Sequence, residues 1–428
     1  MMKRGMLMTV GVGGHDPESL ISCLEKSVRN ARPDVLSLVY SSASKLNADR
    51  LREKLGSECE CTGCEVSDED NVDKCFMEIA SEIQRMTGQG GCNRGSFQVD
   101  FTSGTKAMSA AAVLAAVACS VQELRYIAGE RKQGTVQRGL EEFRTIFPTR
   151  YLAHYQLKAA MDNLRALRFD AAREALDNAA EGAMTPENQI LKSELAFLIR
   201  GYQAWDLFQH QDALASFREC NWKVAVLSEF YFPKEILSRL NDIHVALNPS
   251  KGKEGCAGRP KYSESTLVDL FNNARRRMRE GKYDDACARL YRVTEMIAQY
   301  VLQRKYQIDA GHVRWGQVPE ESRGKYRFSE QNGKERIAKL SLQEDYELLR
   351  DLGDTCGGFV KRTDVADVLR KRNQSILAHG VIPVEPETCK EFHGHVEGFL
   401  QEIVPDFPQQ CRDLQFPWLV SGAPNGND

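Results

Sequence analysis

The chain has 428 residues, 27% of them charged, and a formal net charge of -3. That length exceeds what one hydrophobic core usually holds, so two or three domains are expected, and the near balance of charge excludes a nucleic-acid field over the whole chain. No run is long enough to span a bilayer, Met1–Met8 is too short and mixed for a signal peptide, and the thirteen scattered cysteines read as mostly free thiols of a reducing cytoplasm.

From Met1 to about Pro148 the pattern alternates strands and helices. Met6–Val10 reads as a short apolar strand followed by Gly11-Val12-Gly13-Gly14, and Pro17 opens a helix to about Asn30. Val35–Tyr40 is a second strand ending in Ser41-Ser42, with helices expected at Ala48–Leu55 and Val72–Met86. Phe97–Phe101 is a strand leading into a polar turn, Thr102-Ser103-Gly104-Thr105-Lys106, and Met108–Ala118 is an alanine-rich, buried helix. Leu124–Ala128 and Thr135–Leu140 read as a closing hairpin around Gly129–Gly134. Such alternation predicts a mainly parallel, doubly wound sheet, with ligands beyond the carboxyl ends of its strands. The loops meeting there are Gly11–Asp16, Ser41–Ser44 and Thr102–Lys106.

A strand, a Ser-Gly-Thr turn and a helix aim backbone N–H groups and a positive dipole end at an anion. An ordinary turn whose Ser or Thr only caps the helix would leave the same residues. The first loop fails the G-x-G-x-x-G dinucleotide pattern, because Asp16 stands where the third glycine belongs, and no Gly-Lys-Ser/Thr phosphate loop is present. Cys61-Thr-Gly-Cys64, with Cys59, Cys75 and Cys92, has no second C-x-x-C, so these residues read as free thiols and no metal site is expected.

The Gly11–Asp16 loop, Asp34-Val35 leading to Ser41-Ser42, and the string Asp100–Met108 together resemble a CARF domain, the Rossmann-like sensor of cyclic oligoadenylate in type III CRISPR defence. The resemblance implies a dimer with the cyclic ligand on its two-fold axis. It assigns Gly11, Val12, Gly13, Ser41, Ser42, Thr102, Ser103, Gly104, Thr105, Lys106 and Met108 to that ligand, a cyclic tetra- or hexaadenylate acting as activator.

The middle segment, 149–260, reads as a helical connector and linker. Tyr151–Leu167 and Glu187–Asp206 carry apolar residues at helical spacing. Arg168–Leu176 and Gln209–Phe217 are similar to the turns of tetratricopeptide-like repeats, at a wider spacing, and a plain antiparallel spacer is the preferred reading. Tyr202, Trp205 and Phe208 are expected in its core, and Asn248–Pro260, rich in glycine and lysine, reads as a linker.

The last segment, 261–428, reads as a helical bundle. Helices are expected at Leu267–Arg279, Tyr283–Tyr306, Ala338–Leu352, Thr363–Leu377 and Glu391–Ile403, with a polar loop over Gly311–Gly333. Arg275, Arg276, Arg277 and Arg279 form a basic run, read slightly in favour of a solvated face over an RNA guide. Arg292 and Glu295 are expected to pair, and His393 and His395 to lie on the surface. On an unbroken helix the seven-residue spacing of Arg372 and His379 puts them on nearly one face, ~10 Å apart. A histidine before Gly380 also serves simply to interact with a helix carboxyl end.

Arg372-Asn373, five residues and His379 resemble the active-site signature of HEPN ribonucleases, and the Tyr283–Glu295 helix resembles their early long helix. The whole is thus identified as a CARF–HEPN ancillary ribonuclease of type III CRISPR systems, with an α/β CARF domain at 1–148, a connector at 149–260 and an all-α HEPN domain at 261–428. The resemblance implies a homodimeric, metal-independent endoribonuclease of single-stranded RNA, needing no catalytic cofactor and acting on neither membrane nor DNA. In it His379 moves protons, Arg372 holds the scissile phosphate and Asn373 orients the arginine or hydrogen-bonds the phosphate, leaving 2′,3′-cyclic phosphate ends. Two other readings remain: a regulator or scaffold with an inactive HEPN bundle, and a CARF ring nuclease that degrades its own ligand.

Overall fold

The computed structural model describes residues 3–132, 135–136, 140–179, 184–248, 262–331, 335–378 and 380–421. The chain gathers into two compact units: residues 1–159 with 174–190, and residues 160–173 with 191–428.

The first unit is built on β1 (Gly5–Val10), α1 (Pro17–Ala31), β2 (Val35–Tyr40), α2 (Lys45–Leu55), β3 (Glu60–Glu65), α3 (Val72–Gly88), β4 (Gln98–Asp100), α4 (Lys106–Ala118) and β5 (Glu123–Ala128). A two-residue ribbon, β6 (Arg131–Lys132) with β7 (Thr135–Val136), precedes β8 (Glu142–Ile146). The sheet order is β3-β2-β1-β4-β5-β8, parallel except for the antiparallel β8. β1 and β2 are buried along their whole length, as continuous apolar runs in a covered parallel sheet must be. Alternation divides their side chains: Met6, Met8 and Val10 pack under α1 and α2, while Leu7 packs with α3 and α4. The small side chains of Ala111, Ala112, Ala115 and Ala116 let α4 lie close against α3.

Two expectations change here. The partner of β5 is Glu142–Ile146, not Thr135–Leu140, because the short ribbon takes up Thr135–Val136 and the chain then returns along β5; of the expected strand, residues 137–139 lie outside the described residues. The strand Glu60–Glu65 was not expected, since Glu-Cys-Thr-Gly-Cys-Glu has no apolar alternation. It is an edge strand, where polar residues are tolerated and protect against pairing. Being three apart on a strand, Cys61 and Cys64 pack on opposite faces of the sheet and cannot chelate one ion.

From α5 (Pro148–Arg165) the chain is helical: α6 (Phe169–Asn178), α7 (Pro186–Asp206), α8 (His210–Glu219), α9 (Glu235–Leu247), α10 (Glu264–Arg279) and α11 (Tyr283–Tyr306). Within the second unit the aromatic rings of Tyr202, Trp205, Phe217, Phe232 and Phe416 meet at edge-to-face and stacked angles. Phe208, expected beside them, takes a left-handed φ of 61° at the end of α7 and rests edge-on against His210. The Gly311–Gly333 stretch, expected as loop, contributes β9 (Val313–Arg314) and β10 (Ser329–Gln331) to a small antiparallel sheet with β11 (Glu335–Ala338). Then follow α12 (Leu342–Asp351), α13 (Thr363–Asn373), α14 (Pro386–Ile403), α15 (Phe407–Asp413) and α16 (Pro417–Ser421).

The basic run on α10 is only half solvent-facing. Arg275 and Arg279 are exposed, but Arg276 and Arg277 are buried. Arg276 Nε donates to Asp206 Oδ1 at 2.7 Å, Arg277 Nη2 donates to Asp206 Oδ2, and Arg276 lies 4.2 Å from the Phe416 ring centroid. Asp269 accepts from Trp205 Nε1 at 2.8 Å and faces His210 Nε2 at 2.8 Å. Apolar packing alone does not set helix register, and these buried pairs fix α7 and α8 on α10. No helix among the described residues is long and apolar enough to cross a membrane.

Candidate functional site

In the first unit the strand order reverses between β1 and β4, and the loops after them border a crevice beyond the carboxyl ends of the strands. A cavity of about 540 Å³ opens there. Gly11, Val12, Gly13, Ser41, Thr102, Ser103, Gly104, Thr105 and Met108 line it, so nine of the eleven residues assigned to a ligand meet at one place. Ser42 and Lys106 are exposed and outside that lining.

The turn is tied down from several sides. Asp100 is fully buried; Ser27 Oγ donates to its Oδ2 at 2.5 Å, and the Thr102 hydroxyl and N–H both donate to its Oδ1. Burial pushes this carboxyl above its ordinary range, against the hydroxyls of Ser27 and Thr102 that hold it down. Thr102 Oγ1 also accepts from Ile127 N at 2.9 Å, and Ser103 Oγ accepts from Gly11 N at 2.9 Å. The two loops touch so closely that a Cβ on Gly11 would lie 2.8 Å from Gly104 N, and Gly104 itself takes a φ of +100°.

The two helix starts differ. The Asp16 carboxylate caps α1, accepting from Ser19 N at 3.0 Å, so that positive end is already answered by a negative charge. α4 is capped by the neutral Thr105 hydroxyl, which accepts from Met108 N at 3.1 Å and donates to the Glu69 carbonyl. The hydroxyls of Thr102 and Thr105 are thus spent on structure, while Ser103 Oγ uses only its acceptor side, on Gly11 N. What the turn offers an anion is the amino end of α4 with its first N–H groups, and the Ser103 O–H donor. Glu69 and Asp70 also line the cavity, Glu69 directly against the Thr105 cap, and with Leu20, Cys23 and Ile127 they escaped the sequence reading. Their loop follows the unrecognised edge strand β3, so nothing local marked it as facing the turn.

In the second unit Arg372 and Asn373 form the last two residues of α13. The helix ends there, not at Leu377 as expected: Ser375 N bonds to Arg372 O at 2.9 Å, tightening the last turn, and the chain doubles back so that Ile382 N meets Gln374 O at 3.3 Å. Gly380 does not cap the helix. It packs against Gln374, where a Cβ would sit 1.9 Å from the Gln374 carbonyl oxygen. The two-turn relation of Arg372 to His379 therefore does not apply, and His379 lies outside the described residues. Arg372 is half-buried; its guanidinium carbon lies 4.1 Å from the centroid of the Tyr291 ring, and Nη1 donates to Asn373 Oδ1 at 3.2 Å. The expected Arg292–Glu295 pair is present at 2.9 Å.

His393, expected on the surface, stacks at 4.7 Å on Phe271, and burial lowers its pKa to about 4. His395 is largely covered and lies 3.5 Å from Asp364. Both follow from the burial of one face of α14. Among the described residues no group of three or more His, Cys, Asp or Glu gathers as a metal site.

A Rossmann-like sheet with a crevice at its switch point, followed by a helical domain, is the architecture of the CARF–HEPN class. Residues 257–403 match the family model described as the Csm6 HEPN domain. Among solved structures, the chain is similar to Enterococcus italicus Csm6 bound to cyclic hexa-2′-fluoro-hexa-dAMP, at 13% identity over 97% of this chain and 99% of that one, with a TM-score of 0.49. It is also similar to Can2 from Sulfobacillus thermosulfidooxidans in complex with cyclic tetra-adenylate, at 14% identity over 50% of this chain and 69% of that one, with a TM-score of 0.24. No curated protein matches the chain.

Proposed function

We propose that this protein is a cytoplasmic, cyclic-oligoadenylate-activated endoribonuclease of single-stranded RNA, homodimeric and independent of metal ions. The observation that carries this reading is the match of residues 257–403, which contain Arg372, Asn373 and His379, to the Csm6 HEPN domain. The RNA supplies its own nucleophile. The 2′-oxygen attacks the adjacent phosphorus, the 5′-oxygen leaves, and the products are a 2′,3′-cyclic phosphate and a 5′-hydroxyl. His379 takes part in the proton transfers, and the Arg372 guanidinium stabilises charge growing on the phosphate oxygens. The turn carrying these residues exposes Ile376 (62%), Leu377 (52%), Val381 (82%) and Ile382 (60%). Four exposed apolar side chains beside Arg372 support a partner subunit there, and with it a cleft made of two Arg372–His379 sets. The crevice between the Gly11 loop and α4 takes the activator, with phosphodiesters at the α4 amino end.

The test is cleavage of a labelled single-stranded RNA in EDTA, with and without cyclic tetraadenylate or hexaadenylate. One of the two rings is expected to accelerate cleavage by about five- to 150-fold, as a coupling of about 1–3 kcal/mol between sites gives. Equal rates overturn the activation, and no cleavage under either condition overturns the enzyme.

Gly11→Ala tests the sensor. Its Cβ would collide with Gly104 N and Ser103 Oγ, so the two loops must separate. Overpacking of this kind costs about 1–3 kcal/mol, and we expect activator affinity, measured by calorimetry, to fall about tenfold or more. Unchanged affinity removes the ligand from this crevice.

A further inference from the structure

Arg372 reaches its position without a counter-charge. Arg370, two residues earlier, pairs with Asp367 at 3.1 Å, and Arg292 on α11 pairs with Glu295, but among the described residues no carboxylate pairs with Arg372. It rests instead on the face of Tyr291, 4.1 Å from the ring centroid, with one edge bond to Asn373. The distinction is chemical. A carboxylate would neutralise the guanidinium and occupy its N–H fork, whereas an aromatic face restrains the plane from below and leaves charge and most edge donors for a phosphate. Tyr291 suits this role. It sits within the 24-residue α11 between the buried Leu290 and Val293, so the ring is held by a rigid element. Burial and Glu295 push its phenol above the ordinary range, while Arg372 opposes them, so the ring stays neutral at working pH.

We propose that Tyr291 is a positioning residue of the active site, a ring-face support that holds the Arg372 guanidinium flat and unpaired for the scissile phosphate. This rests on the ribonuclease reading above.

The experiment compares wild type, Arg372→Ala, Tyr291→Leu and Tyr291→Phe in activator-stimulated RNA cleavage. Tyr291→Leu is expected to lower kcat about tenfold with KM within about twofold, because the aromatic face acts on the arginine rather than on the RNA. Tyr291→Phe, which keeps the face and removes only the hydroxyl, is expected to recover most of that loss. A role in packing alone would not sort the two variants this way at equal thermal midpoints. As a measurement independent of folding variants, the 19F resonance of 3-fluorotyrosine at Tyr291 is expected to shift in Arg372→Ala.

A wild type that does not cleave, or an Arg372→Ala as active as wild type, overturns the ribonuclease reading and this inference with it. An active wild type and inactive Arg372→Ala, with Tyr291→Leu at full kcat, overturns this inference alone. So does a Phe variant as damaged as Leu, or an unmoved 19F signal.

Discussion

Arg372→Ala is expected to lower kcat for RNA cleavage by about a hundred- to a thousandfold, and His379→Ala by about a hundred- to ten-thousandfold. The basis differs for each. The guanidinium meets charge that grows on the phosphate only in the transition state, so its loss falls on kcat more than on KM. The imidazole moves a proton, so its loss should also flatten the pH profile in the range where histidine titrates. Both variants should bind cyclic oligoadenylate as the wild type does, since the ligand crevice is built from the first unit alone. Single-turnover cleavage, with calorimetry of activator binding in parallel, checks both statements. Wild-type rates in either variant would place the chemistry elsewhere.

The second large effect concerns stability. Asp206→Ala would take from the buried guanidiniums of Arg276 and Arg277 the carboxylate they share, leaving Arg276 with only Asp269 at 3.9 Å and Arg277 with Glu280 at 2.9 Å. Asn273 would also lose a side-chain acceptor at 3.0 Å. Breaking a buried pair by removing one partner costs about 3–5 kcal/mol, because an under-compensated charge, here above all that of the fully buried Arg276, keeps its desolvation penalty. For a unit of this size that corresponds to a thermal midpoint lower by roughly 10 °C. The same reasoning predicts an asymmetry: replacing Asp206, Arg276 and Arg277 together by apolar residues of similar volume should cost much less than Asp206→Ala alone. Calorimetric unfolding of the single and triple variants measures this, and a single variant within about 1 kcal/mol of wild type would refute the account.

The buried arginines show where reading a sequence stops. Arg275-Arg276-Arg277-Met278-Arg279 presents as one basic run, and helical periodicity alone can turn some of it inward. Which arginines are neutralised depends on Asp206, some seventy residues earlier, and no local pattern announces that. The same holds for His393, whose cover is Phe271 on another helix, and for Tyr291, an unremarkable aromatic in a helix until Arg372 lies across it. At α13 the sequence favoured helix through Leu377, but a turn held by Ser375, Gly380 and Ile382 ends it at Asn373.

Local composition by itself determined the central strands, the glycine loops and the polar turn after β4. Two-residue and 3.6-residue periodicities are short-range, and Gly11 and Gly104 mark backbone that other residues could not form. The string Arg372-Asn373…His379, on which the proposed active site rests, is likewise read from nearby residues. Only the tertiary structure decided the edge strand β3, the carboxylates facing the α4 turn, the buried charges joining α7 to α10 and the aromatic support beneath Arg372. Each of these depends on contacts between residues far apart in the chain, whose energies come from burial and pairing rather than from any property of the residue alone.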